Sequence, residues 1–255
     1  MNTRKICMAT LVLAVCISGT AQAALQGRDL NGSIDSFEAY YDTVLDITWL
    51  ADAKLSLSNT FGVGGISFNG TMTFDTAKIW IGAMNSANYL GFSDWRLPAT
   101  SPVNGTAYSY STSYDGTTDF GYNISAPGTT YSGSKASEML HLFYNTLGNV
   151  GYCYPSSTAN ACSSTPNPVW LHPNTAPFVN LETSVYWVGT EYVPNADFAW
   201  YTTIGGYQNA YSKTYGNFAW AVRDGDVAAV PEADTCAMLL AGLVLVGAAA
   251  RRRRG

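Results

Sequence analysis

Phe74-Asp75-Thr76-Ala77-Lys78-Ile79-Trp80-Ile81-Gly82-Ala83-Met84-Asn85-Ser86-Ala87-Asn88 is the stretch in which the chain changes its period. Ala77, Trp80 or Ile81, Met84 and Ala87 or Asn88 recur at helical spacing, so the stretch predicts a helix that buries Trp80. Thr73 stands where an N-cap belongs, and Asp75 favours the positive end of the helix dipole. Upstream, residues 42–53 place Leu45, Ile47 and Trp49 at a spacing of two, which predicts a strand, and a Gly-rich turn region follows at 62–70. Downstream, Gly91 leads the chain out of the helix and Pro98 ends any regular element. A second helix is predicted over 135–147, where Ala136, Met139, Leu140, Phe143 and Leu147 form one apolar face and Gly148 supplies the stop. Strands are predicted at 184–191, 198–203 and 218–223. Two helices with several antiparallel strands and long loops read as an α+β fold.

Between the elements, residues 100–133 are rich in Ser, Thr, Gly and Tyr, with Asn104-Gly105 and Asp115-Gly116 as turn dipeptides. They read as a polar hairpin insertion or a long exposed loop. Tyr108, Tyr110, Tyr114, Tyr122 and Tyr131 in this region are the candidate glycan contacts, because a ring with a polar handle can stack on the apolar face of a sugar. Trp49, Trp80, Trp95, Trp187, Trp200 and Trp220 sit in predicted elements and are better explained as core.

Both ends of the chain carry an address. Arg4 and Lys5, the apolar run 6–17 and Ala21-Gln22-Ala23 read as a signal peptide over residues 1–23. Residues 24–229 are then one domain, long enough for a real core. From 230 the chain reads Val230-Pro231-Glu232-Ala233-Asp234-Thr235, an apolar run over 236–250, and Arg251-Arg252-Arg253-Arg254. Fifteen residues make about 22 Å of helix, short of the ~30 Å hydrocarbon core, so the run is a marginal transmembrane anchor. The four arginines hold its end in the cytoplasm. The tail resembles the PEP-CTERM sorting signal, with Ala233 where the motif has its final proline. That resemblance implies an exosortase-type membrane enzyme as partner, transient inner-membrane anchoring through the helix, and delivery to the cell surface or extracellular matrix.

Charge and cysteine usage narrow the function. Residues 24–229 hold seven Lys and Arg against sixteen Asp and Glu, a formal net charge of −9. Such a surface argues against nucleic-acid binding and against polybasic docking on anionic lipid. Outside the two terminal segments the cysteines are Cys153 and Cys162, in a turn-rich loop that closes easily; in an oxidising compartment they predict a disulfide worth roughly 2–3 kcal/mol.

Asp46-Ile47-Thr48-Trp49-Leu50-Ala51-Asp52-Ala53, Gly91-Phe92-Ser93-Asp94-Trp95-Arg96-Leu97-Pro98, Ser137-Glu138-Met139-Leu140, Tyr186-Trp187-Val188-Gly189-Thr190-Glu191 and Ala219-Trp220-Ala221-Val222-Arg223 resemble the motifs of the Lcl C-terminal domain family of exported bacterial proteins. The resemblance implies a C-type-lectin-like fold, two helices around twisted antiparallel strands, and no catalytic residue.

Individual candidates leave two readings each. Arg96 is either a carboxylate clamp beside Trp95 or the partner of a buried acid such as Glu138, tying its loop to the second helix; Arg223 offers the same choice. His141 borders the apolar face of the second helix, and His172 lies in a Pro-flanked loop. The 191–197 segment offers oxygens to a cation, or is simply a polar loop between strands. No cofactor, metal site or catalytic residue is predicted, and no triad, zinc signature or phosphate loop is readable. The expected function is that of a non-catalytic binding or structural protein, with a polysaccharide as its ligand. The alternative is a secreted glycan hydrolase that uses paired carboxylates.

Overall fold

The structure is a computed structural model that describes residues 24–33, 36–154, 162, 167–169 and 172–227. The predicted signal peptide and the predicted C-terminal helix lie outside the described residues, among which no helix is long and apolar enough to cross a membrane. Among the described residues the fold is α+β, with two helices and two antiparallel-rich sheets.

Strands β1 (Leu25–Arg28), β2 (Ala39–Asp42) and β3 (Ile47–Leu50) form an antiparallel meander. The single strand predicted over 42–53 is therefore the turn and second arm of a hairpin. Asp42 makes the reversal: its carboxylate accepts from the N–H groups of Val44 and Leu45, and Asp46 takes a positive φ of 58°. Helix α1 (Phe74–Ser86) runs within the predicted span, and Thr73 caps it by accepting from the Thr76 N–H. Phe74, Ala77, Trp80, Ile81 and Met84 are its buried face.

Strands β4 (Thr112–Ser113) and β5 (Phe120–Tyr122) correct the reading of 100–133 as an exposed insertion. The region is built into the second sheet, with Val103, Ile124 and Ala126 in the core. Two features bind it there. Buried Asp119 accepts from the N–H groups of Val103 and Ser109, both at 2.7 Å. Gly121, at φ 115°, lets Ser113 approach so closely that a Cβ would lie 1.7 Å from its carbonyl oxygen.

The second helix is shorter than predicted. Helix α2 (Glu138–His141) begins at the Ser137 cap and passes into one π-helical turn, Leu142–Thr146. Residues 136 and 137 are held extended, because Ser101 bonds to the Ala136 carbonyl and Thr100 bridges to Ser137. Gly148, at φ 67°, ends the turn as predicted.

Strands β6 (Val185–Glu191), β7 (Phe198–Thr203) and β8 (Tyr207–Ser212) complete the five-stranded sheet in the order β4-β5-β8-β7-β6. Strand β9 (Val222–Asp224) pairs with β3 in the four-stranded sheet β1-β2-β3-β9. The strand predicted over 218–223 is thus mostly a seam between sheets. Phe218 bonds to Val185 and Trp187, Ala221 to Leu50, and Val222 to Arg96, so no single neighbour forms a ladder with it until 222.

All six tryptophans assigned to the core are buried there, none more than 2 % exposed. Four of them also donate the indole N–H to a backbone carbonyl of another segment, whereas the buried Trp49 N–H has no such partner among the described residues. Trp80 donates to the Asn59 carbonyl, Trp95 to Tyr89, Trp187 to Met72 and Trp220 to Leu50, at 2.8–3.1 Å.

Candidate functional site

The tyrosines form an extended row on the second sheet. Cross-strand pairing sets Tyr122 of β5 opposite Tyr207 of β8, with ring centroids 4.8 Å apart. From that pair the rings continue in both directions. Tyr114 stacks on Tyr122 at 6.2 Å; on the other side Tyr201 lies 6.3 Å from Tyr207, Tyr211 6.4 Å from Tyr201, and Tyr215 4.3 Å from Tyr211. Tyr211 and Tyr215 are exposed, and the others are half-buried.

Beside Tyr122 and Tyr207 the surface sinks into a groove of about 480 Å³, whose walls include Thr183, Ser184, Val185 and Thr203. The β7–β8 turn adds Ile204 and Gly205 to its lining and is held by a buried tyrosine. The Tyr144 hydroxyl donates to the Gly206 carbonyl at 2.8 Å while accepting from the Asn123 N–H at 2.9 Å. Burial, reinforced by neighbouring phenols, pushes Tyr201 up to about 12 and raises Tyr122. These rings stay protonated and neutral over the physiological range.

The five tyrosines singled out from the sequence do not form one patch. Tyr114 and Tyr122 join the row described above. Tyr108 and Tyr110 pack instead with Trp200, at 5.2 and 6.2 Å, in a cluster that Phe120 and Tyr192 extend. Tyr131 packs on the main core. Tyr201, Tyr207, Tyr211 and Tyr215 were missed by sequence reasoning. Their signal was available in the alternation of Tyr207, Asn209 and Tyr211, which is a strand pattern.

The arginine motifs serve as joints. Arg96 makes two bonds to the Glu138 carboxylate, at 2.8 and 2.7 Å, and two to Asp224. Burial alone would lower its pKa, and the two carboxylates more than reverse that. Arg223 pairs in bidentate fashion with Asp94 and lies over the Phe92 ring. His141 is buried, with Nδ1 3.0 Å from the Ser134 carbonyl, and His172 is exposed. In the 191–197 loop, Glu191 is taken by the ammonium groups of Lys78 and Lys213. Among the described residues no group of three His, Cys, Asp or Glu is placed to hold a metal ion. A disulfide joins Cys153 to Cys162, and the buried Cys153 carbonyl accepts from the Asn123 side chain.

These charges predict an acid response with two phases. Arg223 holds Asp94, and Arg28 holds Asp226, below the usual carboxylate range; the two lysines do the same for Glu191 against the opposing effect of its burial. Their stabilisation is complete above the unfolded-state value near 4 and disappears as pH falls through the lowered folded values. Asp119 has the opposite sign, since burial raises it despite its two N–H donors. Its ionisation costs the fold, and that cost is relieved as pH falls from neutrality toward about 4. The urea midpoint should therefore rise slightly on mild acidification and then drop steeply below pH 4. In Asp119→Asn the initial rise should be absent; a monotonic fall from pH 7 in the parent would contradict this.

The model of the PEP-CTERM protein-sorting motif matches residues 229–254, which include Val230, Pro231, Glu232 and the four arginines 251–254. No curated protein and no solved structure matches the chain. The C-terminal segment is thus a sorting signal of the kind recognised by exosortase, a membrane enzyme, and it assigns the chain to export with C-terminal membrane anchoring before delivery to the cell surface.

Proposed function

We propose that this is a non-catalytic binding or structural protein of the cell surface or extracellular matrix, made as a signal peptide (1–23), an Lcl C-terminal-like domain of C-type-lectin-like architecture (24–229) and the sorting tail, and contacting exopolysaccharide. The sorting motif at 229–254 carries the surface location, and the tyrosine-lined groove motivates the polysaccharide contact. The five motifs on which the resemblance rests are neighbours in the fold. They meet at one joint, where Arg96 and Val222 exchange backbone bonds, Gly189 bonds to Pro98, Leu50 to Ala221, and Arg96 to Glu138. Motif residues occupied in this way serve the packing of the domain, and the resemblance carries over no catalytic residue. The described lining of the tyrosine groove includes no carboxylate, histidine or thiol.

Expression in a host with an exosortase, followed by mass spectrometry, tests the reading. The expected product begins near Ala24, ends near Val230 and contains the Cys153–Cys162 bond. Replacing Arg251–Arg254 by serine should abolish its recovery at the surface, because nothing then stops the weak anchor from slipping through the bilayer. An untrimmed chain folded in the cytoplasm overturns the proposal. So does polysaccharide cleavage that one carboxylate substitution abolishes, which would establish the hydrolase.

A further inference from the structure

We infer that the groove between Tyr122, Tyr207 and the 183–185 segment is a subsite for an uncharged polysaccharide strand, which continues along the row to Tyr201 and Tyr211. This rests on the surface-glycan reading above and gives it a site and a ligand class.

Three observations converge on that ligand. The first is shape: an unbroken run of rings crosses β5, β8 and β7, with neighbouring centroids 4.3–6.4 Å apart, and opens into a concave pocket. Tyrosine gives a large, rigid, amphipathic contact at little cost in conformational entropy, and it suits the flat C–H face of a pyranose. The second is the polar complement: Thr183, Ser184 and Thr203 belong to the lining, and hydroxyls of this kind can exchange hydrogen bonds with those of a sugar, the Thr203 oxygen while also accepting from the Tyr207 N–H.

The third observation is charge. Among the described residues no charged side chain lines the groove, and all seven cations of the domain are committed elsewhere. Arg28 pairs with Asp226, Lys54 with Glu182, Lys78 and Lys213 with Glu191, Arg96 with Glu138, and Arg223 with Asp94; Lys135 donates to the Val44 carbonyl. A uronate or sulfated chain would meet a surface of formal charge −9 with no free cation to receive it. A neutral chain meets no such penalty.

The test is affinity electrophoresis of the full chain, with Arg251–Arg254 replaced by serine so that the tail offers alginate no arginines, in a zwitterionic detergent, chosen so that no sugar headgroup competes, through gels containing mixed-linkage β-glucan, galactomannan or alginate. The neutral polymers should retard the protein and alginate should not. Tyr207→Ala should weaken retardation about tenfold, while Tyr207→Phe, which keeps the ring, should retain most of it. Ser184→Trp provides a check independent of any lost packing, because it fills the groove, and it should also abolish retardation. Neutral-glycan binding that survives both Tyr207→Ala and Ser184→Trp overturns the site. Preference for alginate overturns the ligand class and leaves the surface-glycan reading standing. Retardation by none of the polymers removes both.

Discussion

Trp220→Ala is expected to cost about 3–5 kcal/mol, a large part of the ~5–15 kcal/mol that stabilises a typical domain. The Trp220 ring is fully buried where the two sheets meet, 4.7 Å from Trp49, 4.9 Å from Phe178 and 6.2 Å from Tyr186. Its Nε1 donates to the Leu50 carbonyl at 2.8 Å, so truncation opens a cavity and also leaves a buried acceptor without its donor. Neighbouring large rings cannot collapse into the space, because each is fixed by its own strand or loop. Urea unfolding should show a lower midpoint with an unchanged slope. Trp220→Phe keeps most of the ring volume and should cost less, roughly 1–3 kcal/mol, chiefly through the lost hydrogen bond. A loss below about 1 kcal/mol for the alanine variant would show that the seam is not the centre of the core.

Glu138→Ala is expected to cost about 2–3 kcal/mol. Removing one partner of a fully buried ion pair costs ~3–5 kcal/mol, and the figure is lower here because the Arg96 side chain is 30 % exposed and retains Asp224. Glu138 has three tasks at once: it binds both terminal nitrogens of Arg96, accepts from the Ala99 N–H at 2.7 Å, and opens α2. Without it the 96–99 loop loses its tie to α2. The double variant Arg96→Met/Glu138→Leu should recover part of the loss, since it also removes the Arg96 charge that Asp224 alone would then only partly compensate; the Ala99 N–H remains unsatisfied in either case. A double variant no more stable than Glu138→Ala would show that packing, and not charge, dominates the joint.

How much of this was legible beforehand depended on how local each cause was. Helix α1 was legible because its period, its Thr73 cap and its Asp75 all lie within a few residues. The Arg96–Glu138 pair was legible as one of two readings, because a domain poor in cations uses its few arginines internally. The β2–β3 hairpin was misread as one strand, since a reversal closed by Asp42 has no glycine or proline to announce it. The 100–133 region was misread because its composition is that of a surface loop. Its place in the sheet depends on residues whose role shows only in the fold, among them the buried Asp119 carboxylate and Gly121.

The sequence alone determined the address of the protein, the α+β class and the tryptophan core, because a sorting tail, a helical period and indole burial are properties of contiguous or compositional signals. Only the tertiary structure decided which tyrosines share a surface. Tyr122 and Tyr207 are 85 residues apart in the chain and become neighbours through the register of two strands, which is set by the packing of the whole sheet against its core.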